Sequence, residues 1–233
     1  MDSSDLKDKA GISMEKAKDL VLKSIPNDEI VSIYVKGSYV QDELTPDSDV
    51  DIVVVLKTEQ CLPAVYELTE KFGDTANPPF QIVAYTLDEL KTGNRASNRT
   101  KNITPISSFV KSLDQLPILY GAKPEGKLFT RTDAKDLSAH ISAFRTLFLP
   151  EYESGKFKFN ELVKQVFWLV EREQRVLGFN PEYSWQKLAD SIKGQNHIIH
   201  VALELRRQAF ITEKEREDFL LKLKSYLDFL EIR

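Results

Sequence analysis

The hydrophobic pattern in the first half of the chain predicts three β-strands. They lie in residues 29–36 (EIVSIYVK), 49–56 (DVDIVVVL) and 78–85 (PPFQIVAY). The second of these is apolar at every position from Ile52 to Leu56, a run that is typical of a strand buried on both faces. We therefore expect this strand in the middle of a sheet.

Apolar residues at helical spacing separate these strands. Ser13 has the position of an N-cap before the first such stripe, which comprises Met14, Ala17, Leu20, Val21 and Ile25. The first helix is therefore predicted to begin at Ser13. Prolines and a capping box predict further helix starts near Pro63, at Thr86 with Glu89, and at Pro105.

The second half of the chain has a helical pattern throughout. A Gly/Pro/Lys stretch at residues 121–127 (GAKPEGK) separates it from the mixed first half. We place a boundary there, with an N-terminal domain at residues 1–123 and a C-terminal domain at residues 124–233. Hydrophobic stripes, and a capping box formed by Thr212 and Glu215, predict that the C-terminal domain is a bundle of four or five helices.

The composition excludes several function classes. The single cysteine, Cys61, can form no internal disulfide, the longest apolar run is far too short for a membrane span, and the start (MDSSDLKDKA) is no secretion signal. We expect a soluble, cytoplasmic protein that needs no membrane. The formal net charge is −4, and the first 125 residues hold 20 acidic against 14 basic residues. A nucleic acid is therefore not an expected partner.

Two carboxylates stand one residue apart at the start of the second predicted strand. Side chains at positions i and i+2 of a strand share a face, so Asp49 and Asp51 are expected about 6 to 7 Å apart and pointing the same way. Such a pair repels itself unless a cation lies between the two groups. Mg²⁺ prefers oxygen ligands and takes one or two carboxylates beside water and substrate phosphates. The pair therefore predicts a magnesium site.

Gly37 and Ser38 follow the first predicted strand. Glycine lets the backbone approach a ligand closely, and a helix that starts at Ser38 offers N–H groups and a hydroxyl to an anion. A phosphate site beside a metal site is the equipment for transferring a phosphoryl or nucleotidyl group. The preceding residue, Lys36, is interpreted as capping a strand edge.

With these residues the chain resembles the polymerase-β-like nucleotidyltransferases, whose signature is Gly-Ser, ten residues, and Asp-x-Asp on the next strand. Here Gly37-Ser38 precede residues 39–48 and then Asp49-Val50-Asp51. The order of domains also resembles the aminoglycoside adenylyltransferases. The resemblance implies an α/β (α+β) fold, with a mixed sheet flanked by helices before the bundle. It also implies two Mg²⁺ ions on the aspartates and transfer of an NMP from an NTP to a hydroxyl, with loss of pyrophosphate.

One position departs from this family pattern. Many members carry a third carboxylate on a following strand, and the residue aligned with it here is Gln81. An amide is a weaker metal ligand and no base at neutral pH, so this departure speaks against full two-metal catalysis. Some antibiotic-modifying relatives take the base from a glutamate of the helical domain, for which the candidates here are Glu151, Glu153, Glu171 and Glu173.

A basic loop is the remaining candidate for phosphate binding. No acidic residue occurs between Leu90 and Leu113, and Arg95 and Arg99 lie in this segment. Arginines there suit the triphosphate or the leaving pyrophosphate. The alternative is a solvated polar loop.

The sequence thus predicts a Mg²⁺-dependent nucleotidyltransferase that moves an NMP from an NTP to a hydroxyl. The preferred NMP is AMP, with ATP as the NTP. The acceptor is expected to be a small molecule or a protein. The acidic first half suits a cationic small molecule such as an aminoglycoside. The alternative, which Gln81 favours, is a nucleotide-binding or regulatory module with little transfer activity, such as the partner protein of a toxin–antitoxin pair.

Overall fold

The computed structural model of the chain describes residues 3–96, 104–194, 196–208 and 210–232. The chain separates into two compact units, Met1–Thr130 and Arg131–Arg233. The first unit combines a sheet with helices, and the second consists of helices. No helix in the described ranges has both the length and the apolar character that crossing a membrane requires.

The first unit alternates helices and strands along most of its length. Its elements are α1 (Ser3–Ser24), β1 (Ile30–Lys36), α2 (Ser38–Gln41), β2 (Val50–Leu56), α3 (Leu62–Phe72), β3 (Phe80–Thr86), α4 (Leu87–Thr92), α5 (Ile106–Ser112) and β4 (Ile118–Gly121).

The four strands of the described first unit form one mixed sheet in the order β3-β2-β1-β4. Strand β2 is parallel to β3, and β1 is antiparallel to both β2 and β4. The β2 strand is therefore interior, and each of its residues except Asp51 is buried. This confirms the position that its apolar run predicts.

The two faces of the sheet have different coverings because side chains alternate along each strand. On one face, Val35, Ile52 and Ile82 belong to a core shared with α1 and α3. On the other face, Phe109 of α5 stacks on Tyr85 with ring centroids 4.3 Å apart. This second face becomes polar towards the start of β2, where the candidate site lies.

Helix α1 begins ten residues earlier than the pattern of the sequence predicts, at Ser3 instead of Ser13. Ser13 is not a cap but an interior residue, whose hydroxyl donates a hydrogen bond to the carbonyl of Pro78 at 2.7 Å. The helix continues towards its N-terminus because Ala10 packs into the core with no exposed surface. Ala17 does the same two turns further along the same stripe. Small residues of this kind add little to a hydrophobic stripe, although they bury well.

The other helix starts of the first unit are confirmed. Pro63 lies in the first turn of α3, and α5 follows Pro105. Thr86 and Glu89 form the predicted capping box of α4. The Thr86 N–H donates to the Glu89 carboxylate at 2.9 Å, and the Glu89 N–H donates to the Thr86 hydroxyl at 3.1 Å.

The segment after β4 folds back onto the first unit before the helices of the second unit begin. The N–H of Phe129 donates to the carbonyl of Leu90 at 2.7 Å. Its ring lies so close to Gly93 that a Cβ added there would be 2.5 Å from it. These contacts hold residues up to Thr130 in the first unit, whereas the sequence places the boundary between residues 123 and 124.

The second unit is a helical bundle. Its elements are α6 (Asp133–Ala143), a π-helical turn (Phe144–Phe148), α7 (Leu149–Glu153), α8 (Phe159–Val176), α9 (Trp185–Ser191), α10 (Ile198–Arg207) and α11 (Glu213–Ile232). Its core is apolar and includes Val166, Leu169 and Val170 of α8, which have no exposed surface. The predicted capping box of α11 is present, with Thr212 and Glu215 hydrogen bonded to each other.

Candidate active site

Gly37 forms the sharp turn between β1 and α2. Its backbone has φ 72° and ψ −152°, a combination that is essentially restricted to glycine because a side chain would clash with the backbone. The turn ends β1 abruptly and begins the single helical turn of α2 at Ser38. Ser38 is half-buried and lies where the chain leaves the sheet.

The carboxylate of Asp51 lies directly over Gly37. A Cβ added to Gly37 would collide with Asp51 Oδ2 and lie 3.2 Å from Asp51 Cγ, so no side chain fits there. Glycine is therefore required twice at this position, by its backbone conformation and by the carboxylate beside it. The turn and the acid, which are well separated in the sequence, form one site.

The Asp51 carboxylate is available to a ligand. It is half-buried, and within the described part of the chain it makes no hydrogen bond or ion pair with another side chain. Asp49 is also half-buried and immediately precedes β2. The backbone pairing of β2 begins beside it, where the N–H of Val50 donates to the carbonyl of Pro79 at 2.9 Å.

Three polar residues form a row across three adjacent strands. Asp51 is paired with Lys36 on the antiparallel strand β1 and with Gln81 on the parallel strand β3. Directly paired residues project from the same face of a sheet. The row therefore contains an ammonium, a carboxylate and an amide side by side.

The row corrects the interpretation of Lys36 and gives the position of Gln81 relative to Asp51. Lys36 is the last residue of β1, whose two edges are both paired with neighbouring strands, so it does not cap an open strand edge. Gln81 is exposed and stands in register with Asp51, at the position of the sequence-aligned third carboxylate. A neutral amide therefore occupies the side of Asp51 that faces β3.

The donor set at this place is small. In the described ranges no group of three or more histidine, cysteine, aspartate or glutamate side chains is arranged to hold a metal ion. Asp49 and Asp51 thus provide two carboxylates and no closed cage. An ion bound here would have positions left for water and for a ligand.

The basic loop is only partly described. Arg95 is exposed and follows α4, beyond the carboxyl end of β3, whereas Asp51 and Gln81 lie near the amino ends of β2 and β3. Arg99 lies outside the described residues. A role of the two arginines in phosphate binding stays a prediction.

The four glutamate candidates of the second unit have different surroundings. Glu173 is buried, accepts a hydrogen bond from the Tyr226 hydroxyl and lies 3.6 Å from His197 Nε2. Glu171 pairs with Arg175 one turn along α8 at 2.9 Å. Glu153 is exposed and pairs with Lys224, and Glu151 is half-buried. Three of the four thus have a partner within the second unit.

Two comparisons bear on these features. The family profile described as nucleotidyltransferase domain matches residues 15–134, just over half of the 233-residue chain. The chain belongs to the nucleotidyltransferase family. The matched range of the nucleotidyltransferase includes the whole row from β1 to β3, with Gly37, Ser38, Asp49 and Asp51.

The fold of this nucleotidyltransferase is similar to that of a solved enzyme. Spectinomycin adenyltransferase AAD(9) from Enterococcus faecialis, crystallised with ATP and spectinomycin, superposes with a TM-score of 0.52 at 17% sequence identity. The similarity covers 94% of this chain and 90% of the other. No curated protein sequence matches the chain. The polymerase-β-like resemblance and the α+β fold class are thereby confirmed, and the chain is a transferase of phosphorus-containing groups.

Sequence reasoning missed the position of Lys36 opposite Asp51. Its proximity to Asp51 depends on the antiparallel register of β1 and β2, which residue patterns do not give. The signal that was present is its position directly before Gly37. Because Asp51 lies against Gly37, a charged residue directly before Gly37 is also close to Asp51.

Proposed function

We propose that the protein is a Mg²⁺-dependent nucleotidyltransferase that transfers AMP from ATP to a hydroxyl of a small molecule of the aminoglycoside type. A protein acceptor is the second possibility within the same chemistry. The observation that carries the proposal is the position of the Asp51 carboxylate over the glycine turn of Gly37. This geometry joins a candidate metal ligand to a candidate phosphate site.

The residues present fit Mg²⁺. Asp51 offers a carboxylate that no other side chain of the described residues binds, and Asp49 carries a second carboxylate two positions earlier. Hard oxygen ligands, with no more than two carboxylates and room for water and phosphate, are what this ion takes in nucleotide-dependent enzymes. When bound, it would polarise the phosphoryl oxygens and neutralise part of their charge.

The residues of the chain itself would hold and orient the nucleotide. Backbone N–H groups and the Ser38 hydroxyl, directly after Gly37, would bind phosphate oxygens. Gln81 accepts no proton at neutral pH, so the base that deprotonates the acceptor hydroxyl must come from another residue or from water. Positioning and charge neutralisation are then the main contributions of the site.

Two observations support a cationic small-molecule acceptor. The first 125 residues carry a net negative charge, which attracts a polyamine and repels a polyanion. A structurally similar enzyme was crystallised with ATP and spectinomycin. We place the protein in the cytoplasm, where ATP is available.

The test is ATP- and Mg²⁺-dependent release of pyrophosphate, measured across a panel of aminoglycosides and other hydroxyl acceptors. The wild type should release pyrophosphate, and Asp51→Asn should reduce the rate at least about 100-fold because it removes charge from the metal site. Asp49→Asn should act in the same direction. Asp47→Asn is the matched control, since Asp47 is an exposed residue of the same loop.

Two outcomes would contradict this proposal. Pyrophosphate release that survives both Asp49→Asn and Asp51→Asn would separate the activity from the site. ATP-dependent thermal stabilisation without release, for every acceptor, would favour the nucleotide-binding module instead.

A further inference from the structure

Lys36 places a positive charge beside the candidate metal ligands. Its Cα is paired with that of Asp51 across β1 and β2, so the two side chains project from the same face. Directly paired Cβ atoms are about 4.5 to 5.5 Å apart. The stem of the lysine therefore begins next to the carboxylate.

The ammonium of Lys36 does not bind this carboxylate. Within the described residues, Lys36 forms no ion pair with Asp51. Its Nζ instead lies 3.4 Å from Thr104 Oγ1. Thr104 is held in turn, because its carbonyl accepts a hydrogen bond from the Tyr85 hydroxyl at 2.7 Å. The ammonium is thus near the acids, yet turned towards the segment that covers this face of the sheet.

Lys36 is half-buried on an interior strand, but its long contact with the Thr104 hydroxyl is exposed, so its ammonium can turn towards a ligand of opposite charge. The next two residues of the chain are Gly37 and Ser38, where the proposed function places the phosphates. A polyphosphate bound there would come within reach of Lys36. The long contact with Thr104 would be exchanged for a charge-assisted hydrogen bond.

We propose that Lys36 binds the triphosphate of the nucleotide and offsets the repulsion between that triphosphate and the carboxylates of Asp49 and Asp51. The proposal rests on the proposed function of the site. It assigns Lys36 a role in binding, and none in proton transfer. The ammonium places a positive charge beside the Asp51 carboxylate, in a site that would take a negatively charged ligand.

This role predicts two effects of opposite sign. Removal of the positive charge should weaken binding of ATP with Mg²⁺, because the triphosphate loses a contact. The same removal should strengthen binding of Mn²⁺ alone, because a cation near Asp51 is no longer repelled. A purely structural lysine would change stability without separating these two affinities.

The experiment uses the full chain and the substitution Lys36→Met, which keeps most of the side-chain length. Calorimetric titration with ATP plus Mg²⁺ should give about tenfold weaker binding, and Mn²⁺ alone, followed by electron paramagnetic resonance, should bind about threefold more tightly. AMP should lose less affinity than ATP, since it lacks the outer phosphates. Lys36→Arg should restore ATP binding to within about threefold of the wild type.

The matched control is Lys57→Met. Lys57 is an exposed lysine that follows β2, about 20 Å along the strand from Asp51. This variant should leave both affinities unchanged. Thr104→Val, which removes the hydroxyl and keeps the ammonium, should change ATP binding less than Lys36→Met does.

The outcomes distinguish this inference from the proposed function. If the wild type binds ATP with Mg²⁺ and Lys36→Met binds it equally well, the role of Lys36 is overturned and the proposed function stands. If Lys36→Met weakens ATP and Mn²⁺ binding alike, the lysine is structural and the inference is again wrong. If the wild type binds neither ligand, both proposals are overturned.

Discussion

The acids of the candidate site in the first unit and the buried charged residues of the second unit have different surroundings. In the first unit, Asp51 is half-buried and lies against Gly37, with no side-chain partner in the described residues. In the second unit, the three charged residues that are buried in the described ranges are engaged. Asp136 binds Arg131 at 2.8 Å, Arg172 donates to the carbonyl of Trp168 at 2.7 Å, and Glu173 accepts from Tyr226.

This difference distinguishes charged groups that are available to a ligand from charged groups that stabilise the fold. A buried charge that is fully engaged is held by the fold and costs free energy when its partner is removed. A charge left without a partner costs stability unless a ligand uses it, so it marks a functional site. By this criterion Asp51 is a candidate functional group, whereas Asp136, Arg172 and Glu173, like the capping Glu89 of the first unit, are structural.

The largest expected effect concerns the glycine turn. Gly37→Ala should destabilise the first unit by about 3 kcal/mol, because it combines positive φ with a collision against Asp51. Amide hydrogen exchange of β1 and β2 measures this locally. In an Asp51→Ala background the cost should fall to about 1 kcal/mol, since the colliding carboxylate is gone. Equal costs in both backgrounds would show that carboxylate and turn are not in contact.

A second effect tests whether the titrating groups of the second unit act on stability alone. Burial, helped by the charge of Arg172, lowers the pKa of His140 to about 3. Below pH 6.5, the ordinary histidine pKa, a proton binds His140 in the unfolded chain and not in the folded one. The contribution of neutral His140 to the free energy of unfolding is therefore complete above pH 6.5 and is lost as the pH falls towards 3. Unfolding free energy should drop by about 1 to 2 kcal/mol from about pH 7 to about pH 5.

His140→Leu should remove this part of the pH dependence. Tryptophan fluorescence during urea unfolding is a suitable measurement, because both tryptophans, Trp168 and Trp185, belong to the second unit. The pH profile of pyrophosphate release should not move. A shifted pH profile of pyrophosphate release in His140→Leu would contradict the statement that the titrating groups of the second unit act on stability alone.

A third effect concerns the amide beside Asp51. Gln81→Glu adds a carboxylate on the same face and in register with Asp51, so Mn²⁺ should bind about tenfold more tightly. The matched control is Gln60→Glu, because Gln60 is an exposed residue that follows β2, beyond the end of the strand opposite to Asp51. This variant makes the same change of charge and should leave Mn²⁺ binding unaltered. Unchanged Mn²⁺ affinity in Gln81→Glu would show that the metal does not bind near Asp51 and Gln81.

The smallest expected effect is that of Glu173→Gln. The amide oxygen can still accept the hydrogen bond from Tyr226, so stability should change by less than about 1 kcal/mol. Pyrophosphate release should stay within about twofold of the wild type. A loss of about 100-fold or more would instead make Glu173 the base and would place catalytic chemistry in the second unit.

The sequence predicts the parts of the fold that depend on short-range pattern. The apolar run from Ile52 to Leu56 predicts an interior strand, and the spacing of Thr86 and Glu89 predicts a cap, because both signals lie within a few residues. The start of α1 is missed because Ala10 and Ser13 bury their surface without a hydrophobic signature. The position of Lys36 opposite Asp51 is missed because strand register is a property of two segments together.

The return of Phe129 onto α4 bears on how the molecule can be divided. A polypeptide that stops at Lys123 would lose the N–H that reaches Leu90 and the ring that covers Gly93, leaving a carbonyl and an apolar surface open to water. One that stops at Thr130 would retain both. Dissection at the later residue should therefore yield a monodisperse fragment, and dissection at the earlier one a fragment that aggregates.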